Sequence, residues 1–268
     1  MKMNSPRNYL LTVFTAILLT TSFTNNYAET PEEKGLAIAI EADKRNTGWG
    51  DSSSSMQMIL RKKQGQERTR EMRNRSFEMQ DDGDKSIIIF DDPADVKGTA
   101  MLTHSHKVDS DDQWLFLPKL KRVKRISSSN KSGAFMSSEF AYEDLGSQEV
   151  EKYTYKYLAD EELDGRATFV VERYPTDKKS GYTKQIAWID QETYRVPKIE
   201  FYDRKGAHMK TLTATEFQLY LDEFWRPDQL DMVNHITGKS TTLVFSDYSF
   251  ENDFSEDDFT RTSLKKAK

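Results

Sequence analysis

The side chains that could do chemistry in this chain are few, and their spacing does not assemble a reaction centre. There are four histidines. His104 and His106 stand two apart, which on a strand puts both imidazoles on one face, with Asp109, Asp111 and Asp112 close behind. A metal ion would find two nitrogens there and no convincing further ligand, so the pair reads as a solvated strand end. His208, near Gly206, and His235, beside Asn234, read as turn and strand residues. Carboxylates abound, yet a cluster such as Glu161-Glu162 with Asp164 falls on a hairpin turn, open to water. There is no G-x-S-x-G, no phosphate loop and no H-E-x-x-H. Cysteine is absent altogether, which removes disulfides, thiolate metal sites, cysteine nucleophiles and an acylated N-terminal cysteine. The reading is of a protein that is not an enzyme, with neither metal nor cofactor.

Two other features rise above background. Met56, Met58, Leu60, Trp114, Phe116, Tyr153, Tyr155, Trp188, Phe201 and Phe245 place methionine and large apolar or aromatic groups on strand faces. Such side chains make a deformable apolar lining suited to acyl chains, although an ordinary core beneath a helix would use the same residues. The second feature is a basic stretch, Lys119, Lys121, Arg122, Lys124 and Arg125, accompanied by Arg61-Lys62-Lys63 and by Arg68, Arg70, Arg73 and Arg75. On a chain of formal net charge −5 these are local positive surfaces. They could dock a partner or anionic lipid head groups, or be a solvated sheet face. The overall acidity argues against a nucleic-acid binder, which usually carries a basic footprint.

The elements that must position these groups are mainly strands. Hydrophobic residues make up only 36% of the chain and charged residues 31%, yet 12% is aromatic. A large antiparallel sheet with one wet face fits that mixture, because half of each strand is then polar. Thr30-Pro31-Glu32-Glu33 supplies a hydroxyl cap, a first-turn proline and a capping-box glutamate, so a helix is predicted over Thr30–Arg45. Runs such as Ser54–Leu60, Lys85–Phe90, Tyr182–Ile189 and Thr241–Tyr248 read as strands joined by short turns, about ten or eleven in all, in an up-and-down meander. Before them, Lys2 and Arg7, the apolar run Leu10–Leu19 and the site after Ala28 read as a cleavable export signal over residues 1–28. A single domain over 29–268 is expected beyond it, delivered to the periplasm.

Three stretches then carry a family likeness. Trp114–Ile126 (WLFLPKLKRVKRI), Ser132–Met136 with Phe140–Leu145, and Trp188-Ile189-Asp190 leading through Val196–Asp203 to Gly206 resemble the outer-membrane lipoprotein-sorting proteins, relatives of the LolA and LolB carriers. The resemblance runs from about Glu32 to Leu264. It implies an α+β fold: a curved antiparallel sheet of about eleven strands, an incomplete β-barrel with helices plugging its concave face. It also implies a carrier that holds lipid or acyl chains between sheet and helices, without catalytic residues, and that works with an inner-membrane exporter of the resistance-nodulation-division or MMPL type.

The function expected is thus a periplasmic, non-enzymatic carrier of a lipid or lipoprotein; the rival is an exporter adaptor that carries nothing. Ser127–Ser147, with Phe135, Met136, Phe140 and Leu145 set among flexible serines, is expected to be a lid.

Overall fold

In the computed structural model, which describes residues 1–2 and 28–266, the polypeptide builds one curved antiparallel sheet. The expected leader falls almost wholly outside the described residues. The chain enters through helix α1 (Pro31–Lys44). Its cap is the box predicted: the Thr30 hydroxyl accepts from the Glu33 N–H at 3.2 Å while the Glu33 carboxylate accepts from the Thr30 N–H at 2.8 Å.

A first meander follows, of β1 (Asp51–Arg61), β2 (Glu67–Phe77), β3 (Lys85–Asp92), β4 (Ala100–His104), β5 (Asp112–Leu117) and β6 (Arg122–Ile126). A second contains β7 (Tyr153–Leu163), β8 (Arg166–Pro175), β9 (Tyr182–Asp190), β10 (Lys198–Asp203), β11 (His208–Tyr220), β12 (Phe224–Asn234) and β13 (Ser240–Phe250). Antiparallel pairing of β1 with β13 welds the two meanders together, with Met56 opposite Phe245 and Met58 opposite Leu243. The order is β6-β5-β4-β3-β2-β1-β13-β12-β11-β10-β9-β8-β7, so β6 and β7, neighbours in the chain, are the two open edges. The segment 127–152 runs from one edge to the other. Thirteen strands are present among the described residues, against the eleven or so expected.

β12 begins well before its apolar stretch at Met232 and carries Pro227 inside it. Pro227 is tolerated because β13 pairs with β12 only over Gln229–Val233, leaving the earlier half of β12 bonded to β11 alone. The rest of β13 follows β1 instead, through an irregularity at Ser53–Ser55 where Asp247 adopts a positive φ. β12 and β13 therefore part company, and the gap opens beside Pro227 and Tyr248.

The sheet buries both faces of its first half. On one face Met56, Met58, Met72, Ile88, Phe90, Met101 and Leu115 join Ile38 and Ala39 of α1 and Phe135 and Phe140 of the crossing segment. On the other, Ile87, Ile89, Ala100 and Leu102 are covered by Phe259 and Leu264 of the C-terminal tail, where a short helix α2 (Arg261–Lys266) ends the described chain. That tail is why Lys85–Phe90 reads as a continuous apolar run instead of alternating. Helix α1 lies close on β7: a Cβ on Gly35 would stand 2.7 Å from the Tyr157 nitrogen.

Candidate functional site

Between the sheet, α1 and the crossing segment lies a cavity of about 1170 Å³. Strand alternation sends Met56 and Met58 of β1, Tyr155 of β7, Ala187 and Ile189 of β9 and Leu243 and Phe245 of β13 into it. Ala39 and Ala42 of α1 close one side, and Phe135, Phe140 and Leu145 close another. These small, flexible or flat side chains leave room without fixing one shape, which suits an alkyl chain better than a rigid polar ligand.

Four of the ten residues expected at the lining border the cavity, Met56, Met58, Tyr155 and Phe245 of β1, β7 and β13, while Leu60 packs on the same core without reaching it. Phe201 belongs to that core as well, tilted against Tyr182 at 5.0 Å, and Tyr153 turns toward a separate crevice of about 60 Å³. Trp114, Phe116 and Trp188 are on the opposite face. Trp114 and Phe116 pack under the C-terminal tail, while Leu115 between them points inward. Trp188 donates its indole N–H to Glu161 at 2.8 Å beneath the Lys198 ammonium, and its neighbours Ala187 and Ile189 take the cavity. The physical reason is one of phase: with apolar residues on both faces of β5 and β9, alternation alone does not say which set is inside.

The crossing segment, expected to be a lid, is fastened to the sheet at several points. Phe135 and Phe140 are buried, and Met136 packs beside them while its carbonyl accepts from Arg70 at 2.5 Å. The Tyr142 carbonyl accepts from Gln113 at 2.8 Å, the Glu139 N–H donates to Thr241, and the Glu143 carboxylate accepts from Ser180 and Gly181. At the centre is a buried ion pair that sequence reasoning missed. The Lys210 ammonium, 2% exposed, lies 2.6 Å from the Asp144 carboxylate, 6% exposed. Tyr182 donates to the other Asp144 oxygen at 2.8 Å, and the Ala141 N–H to the first at 2.6 Å. The Lys210 ammonium also sits 5.0 Å from the Tyr182 and Phe201 rings. Its position was readable in principle: 210 shares the face of Leu212 and Ala214 on β11.

The rim is polar. Asp43, Glu78, Asp84 and Glu149 border the cavity. Burial raises the Asp84 carboxyl to about 7, with Glu149, Glu78 and Asp43 adding repulsion. Burial likewise raises Asp43 and Glu149. Glu78 accepts from the Gly48 and Gly50 N–H groups at 2.6 and 2.7 Å, tying the α1–β1 turn to the end of β2. Arg195 and Arg226 border the cavity too, Arg195 against the Trp225 ring and Arg226 donating to the Trp225 carbonyl. Neither has a carboxylate partner within 4 Å among the described residues.

The expected basic surface divides. Lys119, Lys121, Arg122, Lys124 and Arg125 are all exposed on or beside edge strand β6, with Arg125 contacting Asp112. The arginines of β2 are largely used within the fold: Arg73 forms a two-pronged pair with Asp91 at 2.7 and 2.9 Å, and Arg70 holds the crossing segment. His104 and His106 diverge, His104 bonding the Phe259 carbonyl and His106 the Asp82 carboxylate, both at 2.6 Å.

The same architecture occurs in known proteins. The crystal structure of a candidate outer membrane lipoprotein-sorting protein domain from Vibrio parahaemolyticus matches at 56% identity over 87% of this chain and 99% of that one, with a TM-score of 0.86. The chain belongs to the family of this outer membrane lipoprotein-sorting protein domain. A DUF1329 family protein from Desulfovibrio piger matches at 29% identity, covering 88% of this chain and 99% of that one, with a TM-score of 0.83. A LolA superfamily protein from Nitrosomonas europaea, at 22% identity, shares the fold over 85% of this chain and 98% of its own, with a TM-score of 0.68. A family model described as an uncharacterized protein matches residues 82–266. Comparison with the curated proteins gives no match. The family's open half-barrel is the thirteen-stranded curved sheet described above, and no helix of the described residues is long and apolar enough to cross a membrane.

Proposed function

We propose that this protein is a periplasmic carrier that takes up a lipid or the acyl part of a lipoprotein, holds it in the cavity without chemical change, and delivers it to another membrane. The observation that carries this reading is the cavity itself, about 1170 Å³ of space lined in part by methionine, aromatic and aliphatic side chains and in part by polar and charged ones, in a chain related to a lipoprotein-sorting domain. Moving an acyl chain through water exposes each CH₂ at roughly 0.8 kcal/mol, so transfer between membranes needs an apolar enclosure. Release needs one that is not too complementary, and Met56, Met58 and the small Ala39, Ala42 and Ala187 serve that need.

The crossing segment forms a fixed floor on this reading, and α1 is the part that yields. Beyond its packing on β7 and the turn 150–152, α1 and the residues just after it are held by a few polar contacts, chiefly Arg45 to the Glu192 carbonyl and Asn46 to Arg226, both near their C-terminal end. The exposed lysines and arginines of β6 lie along an open sheet edge, and their charge and unpaired backbone support docking to an inner-membrane transporter of the resistance-nodulation-division or MMPL type.

The test is mass spectrometry of the protein isolated under native conditions, followed by solvent extraction. Co-purifying lipid or acylated material is the expected result. Consistent absence of bound lipid, with no uptake from vesicles, would overturn the carrier reading in favour of an adaptor.

A further inference from the structure

We propose that Arg195 and Arg226 form a head-group site at the cavity rim that selects amphiphiles carrying a phosphate or another oxyanion; this rests on the carrier reading and narrows its cargo. Both arginines border the cavity. The Arg195 guanidinium lies against the faces of Phe217 and Trp225, 4.6 and 4.9 Å from the ring centres. Arg226 lies beside Trp49 and Phe224 at 5.8 and 5.7 Å, and donates to the Asn46 side chain at 2.6 Å and the Trp225 carbonyl at 3.1 Å. A guanidinium laid against aromatic faces keeps its edge free, and that edge is the fork that grips phosphate or carboxylate.

Of the acids near them, Asp222 and Glu223 border the same cavity at the β11–β12 turn but lie more than 4 Å from either guanidinium. Asp190 and Glu192, shortly before Arg195 in the chain, both pair with Arg166. Glu78 spends its oxygens on the Gly48 and Gly50 N–H groups. Among the described residues these two partly buried cations therefore have no carboxylate within 4 Å. Arg226 lies on the part of β12 that β13 has left, Arg195 packs on Trp225, next to Arg226 in the chain, and both border the cavity that Leu230 and Phe245 also line. An anionic head placed there satisfies both while its chain continues into the apolar cavity. A neutral head leaves two half-desolvated charges unpaired, and that difference is the source of selectivity.

Calorimetric titration of the purified protein, in phosphate-free buffer and below the micellar range, compares dodecyl phosphate, dodecyl maltoside and inorganic phosphate. The expected result is at least a tenfold preference for dodecyl phosphate over the maltoside, as two charge-assisted contacts would supply. That preference should shrink as salt is raised, fall several-fold in R195Q or R226Q, and approach unity in the double variant. R195K/R226K should keep part of it, since lysine restores charge but not the fork. Equal binding of the two amphiphiles by the unmodified protein would overturn the head-group site and leave the carrier reading standing. Failure to bind either would overturn both. Inorganic phosphate binding as tightly as its dodecyl ester would overturn the coupling of head site to cavity. The wild-type comparison and its salt dependence decide the matter even if a variant does not fold.

Discussion

Replacing Lys210 with methionine should destabilise this protein severely, although lysine at that position touches nothing proposed to bind cargo. Asp144 would remain 94% out of solvent with only the Ala141 N–H and Tyr182 O–H as partners, having lost an ammonium at 2.6 Å. Removing one member of a buried pair typically costs about 3–5 kcal/mol, because the remaining charge stays desolvated and uncompensated. For a domain of this size each kcal/mol moves the melting midpoint by roughly 2–4 °C, so a drop on the order of 6–20 °C is expected. Asp144→Asn alone strands Lys210 between the Tyr182 and Phe201 rings and should cost a comparable amount. The double variant buries no charge, and should be more stable than the sum of the single losses by about 2 kcal/mol or more. Urea unfolding followed by tryptophan fluorescence gives all four corners of the cycle. Hydrogen exchange should meanwhile show residues 131–147 opening first in the single variants. If K210M falls within about 0.5 kcal/mol of the parent, or if the two substitutions are additive, the pair does not pin the crossing segment and the reasoning fails.

Other outcomes follow from the same geometry. Because the Asp84 carboxyl titrates at about 7 in the folded protein against 3.8 ordinarily, its ionised form burdens the native state above pH 7, and stability improves as pH falls from 7 toward 4; D84N should raise stability at pH 8 by about 1–3 kcal/mol and lose that gain near pH 4, measured by urea unfolding at each pH. Gly35→Ala should destabilise despite alanine's better helix propensity, since its Cβ would meet the Lys156–Tyr157 backbone below 3 Å, and a fluorescent acyl probe should reach the cavity faster as α1 lifts. Ala42→Trp, from α1 into the cavity, should lower dodecyl-chain affinity about tenfold or more while a thermal melt shows the fold retained. Trp114→Ala should cost about 3 kcal/mol or more through loss of packing under the tail, and leave amphiphile affinity within a factor of two; a large affinity change would refute its placement on the opposite face.

Much of the architecture was legible from local chemistry. The Thr30–Glu33 box and Pro31 place a helix start within a residue, and the strand boundaries follow the turn residues, as at Asp164-Gly165 and Lys205-Gly206. Met56 and Met58 could be assigned to the interior because Ser55 and Gln57, which alternate with them, are polar, leaving one phase to choose. β5 and β9 offered two: Trp114 and Leu115, or Ala187 and Trp188, are apolar on consecutive positions, and size is not a guide to which one faces a cavity. A space is lined by what does not fill it, so the alanine faced the cavity and the tryptophan did not.

Composition and period therefore determined the class of fold, its antiparallel meander and its capped first helix, since each depends on neighbours a few residues apart. Only the tertiary structure decided the rest. The tail that makes both faces of β3 apolar, the separation of β12 from β13, the burial of Lys210 against Asp144 and the stacking of Arg195 on Trp225 all join residues far apart in the chain. No local rule reports them, because burial and counter-charge are properties of what finally surrounds a side chain, and that is settled only when the sheet has curled and the crossing segment has been laid across it.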